Sequence, residues 1–224
     1  MKLLFHPSIG VNWFLIIALG TLCACTSLKN SIGTELKEPS FSQEQSISIS
    51  SGNSTEPMRV FLITDKEDSL LLRQKSQDIY PNPSDTTLSH FISRLYATVT
   101  DSASMGVGIA APQVGILKNI IWVQRFDIEG FPFEEYLNPK ILQYSEMKQT
   151  RKEGCLSIPN RTDTLECRAY AILLEYDRLN GDHKVEMVEG FTAVIFQHEI
   201  DHLNGILYLD HLEKEISEAQ KLKN

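Results

Sequence analysis

Apolar residues change their spacing in blocks along this chain. "VNWFLIIALG" (11–20) is a nearly unbroken apolar run, and the residues from Thr26 to Pro57 carry scattered apolar positions with no sustained period. From Met58, "MRVFLIT" alternates well enough to predict a strand. Leu88, Phe91, Ile92, Leu95 and Tyr96 in "DTTLSHFISRLYATVTDS" fall at helical spacing, with Asp85 or Thr86 available as the cap. "KNIIWVQRF", "EEYLNPKILQY" and "RAYAILLEYDRLNGDHKVEMVEG" then predict several strands, β-branched and aromatic, separated by turn signals such as Asn180-Gly181. Phe191, Val194, Ile195 and Ile200 suit the buried faces of a closing helix that Asn204-Gly205 would stop. The expectation is an α+β domain of antiparallel strands around few helices, without an internal repeat.

Composition divides the chain further. At 224 residues and 42% apolar content it is long enough for one real core. Residues 1–25 hold a single formal charge, Lys2, ahead of an apolar stretch too short to span a bilayer comfortably, which reads as a secretion signal. Its end, Leu22-Cys23-Ala24-Cys25, resembles the lipobox of bacterial lipoproteins, in which the lipid is carried by the cysteine after the cut; here that would be Cys25. An ordinary buried helix is the plain alternative. Residues 26–57, rich in Ser, Glu, Gln and Asn, are expected to form a flexible tether, and residues 58–224 the folded domain. A net charge of -8 without any Lys/Arg cluster argues against nucleic acid as a partner.

The chemistry is concentrated in "FQHEIDHLNG" (196–205). His198 and His202 would lie one helical turn apart on one face, within reach of a single ion, with Glu199 beside them. Two imidazoles bind a divalent metal and the carboxylate can take a proton from water, whereas paired surface histidines are the bland alternative. A third ligand has three possible sources. Tyr208 stands where metzincin-type peptidases place another histidine, Glu213, Glu215 and Glu218 lie rather close for a thermolysin-type carboxylate, and Cys155 in "KEGCLSIP" offers a thiolate.

"GVGIAAPQVG" (106–115), "EGCLS" (153–157) and "QHEIDHLNG" (197–205) together resemble the three ordered motifs of peptide deformylases, and the likeness runs from about Leu70 to Leu212. The resemblance implies a deformylase-like α+β fold with antiparallel sheets around a central metal-binding helix. It makes Cys155, His198 and His202 the metal ligands and leaves a fourth position for water or substrate. Glu199 would act as general base and then general acid. The Gln113 amide and the backbone N–H of Leu156 would receive the developing oxyanion. Gly106 and Gly108 would let an extended peptide lie along Val107 and Gly108 as an added strand. Ile158, Ile195 and His198 are expected as walls of a methionine pocket. Glu153 would support the site from behind the ligands, with Arg168 either its partner or a solvated strand charge.

The activity so implied is metal-dependent release of formate from N-formylmethionyl peptides. The resemblance favours Fe(II), with Zn(II), Ni(II) or Co(II) able to occupy the same donors. The expected protein is a monomer in the bacterial cell envelope, anchored to a membrane through lipid on Cys25. A signal peptide is foreign to the usual deformylase, so the physiological substrate is left open. In an oxidising envelope Cys155 and Cys167 could pair and remove the thiolate. Two other functions are weighed: a thermolysin-type zinc endopeptidase indifferent to Cys155, and a catalytically idle, lipid-anchored binder of formyl peptides.

Overall fold

In the computed structural model, which describes residues 40–102 and 106–222, the "IIWVQ" run becomes the strand about which the fold is organised. Five antiparallel strands form the main sheet: β1 (Gly108–Ala110), β2 (Ile120–Gln124), β3 (Phe133–Tyr144), β6 (Ala171–Asp177) and β7 (His183–Glu189), in the order β1-β2-β3-β6-β7. A separate hairpin is made by β4 (Lys148–Cys155) and β5 (Ile158–Ala169). Ile121 and Val123 join the core on one face of the sheet, while Ile120 and Trp122 pack on the other. With both faces covered, β2 reads as a continuous apolar run, whereas β6 shows the expected alternation.

Helix α3 (Thr86–Val99) covers one face, and of the two candidate caps it is Asp85 that serves: its Oδ1 accepts from the N–H groups of Thr87 and Leu88, each at 3.0 Å. Leu88, Phe91 and Leu95 are fully buried, while Tyr96, on the same stripe, is exposed and rests against Trp122. Helix α4 (Gly190–Leu203) fills the other face, and residues 192–200 are all buried. It stops at Gly205, whose φ of +72° suits glycine and where a Cβ would stand 2.4 Å from the Arg73 carbonyl oxygen. Helix α5 (Tyr208–Lys221) then closes over β5, with Glu215 Oε1 accepting from the backbone N–H groups of Glu166 and Cys167 on that open edge.

Two expectations are corrected. "MRVFLIT" is no strand and ends in a turn at Ile63-Thr64: the Phe61 N–H donates to the Gln113 carbonyl and that of Ile63 to the Ser157 carbonyl, so its bonds do not form a ladder. It is followed by a short helix, α2 (Lys66–Leu72), that the pattern did not predict. The tether also ends earlier than expected. From Ser40 the chain is folded, with α1 (Gln43–Ile49) opened by a Ser42/Gln45 capping box and Phe41 and Ile49 buried in the α3 core. Two apolar side chains are little for a composition argument to detect, and much of the anchoring is polar. Arg94 on α3 donates to the carbonyls of Ser48, Ile49, Glu56 and Pro57. Arg94→Ala is therefore expected to lower the unfolding free energy by about 1–3 kcal/mol in chemical denaturation, since it leaves the buried Ile49 carbonyl without this partner and unties the segment from α3.

The proposed signal at residues 1–25 and the first part of the tether lie outside the described residues. All described residues fall in one compact unit, Glu38–Asn224, and no described helix is long and apolar enough to cross a membrane.

Candidate metal centre

Burial of α4 fixes where its polar side chains can go. His198 and His202 sit one turn apart with ring centroids 5.1 Å from each other. The end of β4 delivers Cys155 to the same point, its Sγ 3.2 Å from His202 Nε2. His198 Nδ1 is engaged by Glu153 Oε2 at 2.9 Å, which leaves Nε2 as its free donor. One donor atom from each of the three residues lies within 4.8 Å of the others. A tetrahedral ion with Zn–S and Zn–N distances of about 2.3 and 2.0–2.1 Å would hold such atoms about 3.5 Å apart, so the donors fit one divalent cation.

The electrostatics agree. Burial opposes a thiolate at Cys155, yet His202 and His198 outweigh it and hold the thiol well below its ordinary value. Burial likewise opposes an ionised Glu153, but the hydrogen bond to His198 and the Arg168 guanidinium bring that carboxyl down to about 2. Arg168 grips Glu153 through two nitrogens, Nε at 2.7 Å and Nη2 at 2.9 Å, and is the partner left open by the sequence. Glu199 differs: burial raises its carboxyl to about 7, and Oε2 is buried without a hydrogen-bond partner, as is His202 Nδ1. A carboxylate poised near neutrality beside a metal site has the profile of a proton-transfer group.

The second motif supplies a donor and room. After β1 a single 3-10 turn (Ala111–Val114) carries Gln113, whose Oε1 accepts from the Ala110 N–H at 2.9 Å. That bond turns Nε2 toward Ser157 Oγ at 3.2 Å and Cys155 Sγ at 3.6 Å. Gly108 allows the closest approach: a Cβ there would be 2.5 Å from Glu199 Oε1 and 2.8 Å from Ile195 Cγ2. Gly108→Ala is expected to displace the carboxylate, lower kcat/KM by about 100-fold and lower the thermal midpoint by a few degrees, since the added methyl also overlaps buried Ile195.

A cavity of about 580 Å³ opens over these groups, lined by the expected peptide-contact residues Gly106, Val107 and Gly108, by Leu156, expected to donate its backbone N–H, and by the expected walls Ile158, Ile195 and His198. Among the described residues β1 is an edge of the main sheet, so its outer side has room for an added strand. Phe191, expected to be buried, is 38% exposed at the cavity's rim, where it meets Phe126. Lys152, Asn160, Arg161 and Thr162 from the β4–β5 hairpin also line the cavity; no motif pointed to them, because only the hairpin's fold brings them there.

The competing ligands stay away. Glu213, Glu215 and Glu218 are outside the donor group, and Tyr208 stacks on the His198 ring with centroids 6.0 Å apart. Cys155 and Cys167 are both free thiols. The hairpin register pairs Gln149 with Arg168 and Glu153 with Asp163, which sets the two cysteines on the order of 13–16 Å apart along the strands, against the roughly 7 Å limit for a disulfide.

The family model for polypeptide deformylase matches residues 60–218. The peptide deformylase of Desulforudis audaxviator is 39% identical over 155 residues, covering 68% of this chain and 94% of the relative. That of Finegoldia magna is 35% identical over 159 residues, 70% of this chain and 94% of its own length. Among solved structures, the Acinetobacter baumannii class I type b enzyme with bound Met-Ala-Ser superposes with a TM-score of 0.62 at 32% identity, over 70% of this chain and 99% of the other. The Thermotoga maritima enzyme gives 0.60 at 32% identity, over 70% and 97%. A Cys-His-His donor set, two of whose members line one cavity, in a fold shared with these enzymes, leads to one conclusion: the chain belongs to the polypeptide deformylase family, the hydrolases that remove the formyl group from peptide N-termini.

Proposed function

We propose that this chain releases formate from N-formylmethionyl peptides at a single divalent ion, Fe(II) by preference, held by Cys155, His198 and His202. The observation that carries the reading is that Cys155 and His198 of that donor set share one cavity with Glu199 and Gln113. Zn(II), Ni(II) and Co(II) suit the same soft and borderline donors. When bound, the ion supplies Lewis acidity and makes water a nucleophile near neutral pH.

The remaining work falls to the protein. Glu199 takes the proton of the attacking water and delivers it to the departing amine. The Gln113 amide N–H and the Leu156 backbone N–H receive the charge that gathers on the formyl oxygen, each such donor being worth about 10²- to 10³-fold in rate. Glu153 holds the His198 Nδ1 proton, which keeps Nε2 turned to the ion. Val107 and Gly108 accept the peptide along the β1 edge, and Ile158, Ile195 and His198 enclose the methionine side chain. The bound Met-Ala-Ser in the Acinetobacter baumannii enzyme supports a peptide of this kind as ligand.

The test is formate release from formyl-Met-Ala-Ser by the anaerobically purified full chain, with metal analysis. Robust turnover and about one metal per chain are expected, and both should be lost in Cys155→Ala. Cleavage of internal peptide bonds that survives Cys155→Ala would instead establish the thermolysin-type endopeptidase, and tight formyl-peptide binding without turnover the idle binder.

The reading of residues 1–25 as a lipoprotein signal supports a place in the bacterial cell envelope, with lipid on Cys25 and the remaining tether holding a monomeric domain off the membrane. Release of the protein from the membrane fraction on replacing Cys25 by serine tests that placement; unchanged fractionation refutes the lipid on this residue.

A further inference from the structure

Behind His198 the polar contacts do not stop at Glu153 and Arg168. Arg168 Nη1 also donates to Asp201 Oδ2 at 2.6 Å, and that same oxygen meets His211 Nε2 at 2.8 Å. Glu153, Arg168, Asp201 and His211 thus form one line of contacts from the imidazole of His198 to the surface. Exposure of the side chains rises outward along it, from 4% at Glu153 and Arg168 through 18% at Asp201 to 30% at His211.

The geometry gives the outer members a task. Arg168 presents a rigid planar fork. Two of its nitrogens are committed to Glu153, and Nη1, bonded to Asp201, ties the fork to α4. Asp201 belongs to α4 and His211 to α5, so the second bond on Oδ2 ties the carboxylate's orientation to the docking of α5. Tyr208, on the same turn of α5 as His211, stacks on the His198 ring at an interplanar angle of 26°. The first turn of α5 therefore reaches one imidazole by two routes, a ring contact and a chain of charge.

We propose that His211 is a positioning residue for the metal centre, acting through Asp201, Arg168 and Glu153 to fix the orientation of His198, which makes the first turn of α5 part of the ligand support. The proposal rests on His198 being a metal ligand, as read above.

Cobalt affinity of the full chain, measured by competition with a chelator, tests it alongside the visible absorption of the Co(II)-loaded protein. His211→Ala should weaken Co(II) binding about 10-fold, the lower end of the range for groups behind metal ligands, and shift the cobalt bands. His211→Gln, whose amide N–H can donate to the same Asp201 oxygen, should recover most of the affinity. Glu215→Ala serves as the control, because it loosens α5 from β5 without touching the line of contacts; it should lower the thermal midpoint and leave cobalt affinity within a few-fold. Unchanged affinity and spectrum in His211→Ala would overturn the proposal, as would no recovery with Gln or an equal loss in Glu215→Ala. If the unaltered chain takes up no cobalt, the metal centre itself is refuted and the proposal with it.

Discussion

Glu199→Ala is expected to lower kcat for formyl-Met-Ala-Ser by between about 10²- and 10⁴-fold, the range a positioned proton-transfer group contributes. Metal content should not change, because the three donors belong to other residues. The loss should appear in kcat and kcat/KM together, since the carboxylate matters chiefly once bonds are being made and broken. Glu199→Gln should be nearly as slow: it fills the same space beside Gly108 and cannot carry the proton. Equal rates for the unaltered chain and either variant would remove Glu199 from the reaction. A variant that also loses its metal would make the residue structural.

Arg168→Leu should produce a large loss of stability although the residue is no metal ligand. The guanidinium is 4% exposed and joins two carboxylates, those of Glu153 and Asp201. Removing one member of a buried ion pair costs about 3–5 kcal/mol, because the partner is left charged and unpaired under the core. A drop of that size should be measurable by chemical denaturation of the metal-free chain. The double variant Arg168→Leu with Glu153→Gln should regain part of it, since the most deeply buried orphan charge is then gone. A double variant no more stable than the single one would mean that Arg168 contributes through packing of its stem instead.

How much of this was legible in the sequence depends on how local the physics is. His198 and His202 could be named because metal chemistry demands particular residue types, and a helix puts i and i+4 on one side without help from the rest of the fold, whereas Cys155 stayed one of three candidates until the resemblance to peptide deformylases selected it. The cap of α3 and the stop at Asn204-Gly205 were equally local. Residues 40–57 were misjudged because the segment is held by Arg94 reaching its carbonyls, a contact that leaves no periodic trace in the segment itself. "MRVFLIT" had a strand's alternation, but no ladder was within reach. Asp201 and His211 were missed for the opposite reason: each is an ordinary polar residue on a helix, and only the docking of α5 against α4 brings them together. Asp201 did offer a signal, since it shares α4 with the ligands while standing off their face.

The placement of the two thiols also decides how oxidants act on this protein. The Cys167 thiol is raised to about 12 by burial and the neighbouring Glu215 carboxylate, so it stays protonated and unreactive, and it is too distant along the hairpin to resolve a partner. A sulfenic acid formed on Cys155 by peroxide would find no internal thiol among the described residues to condense with, and its course would run on toward the irreversible sulfinic and sulfonic acids. For this centre, exposure to peroxide without an external reductant amounts to permanent loss of the sulfur ligand.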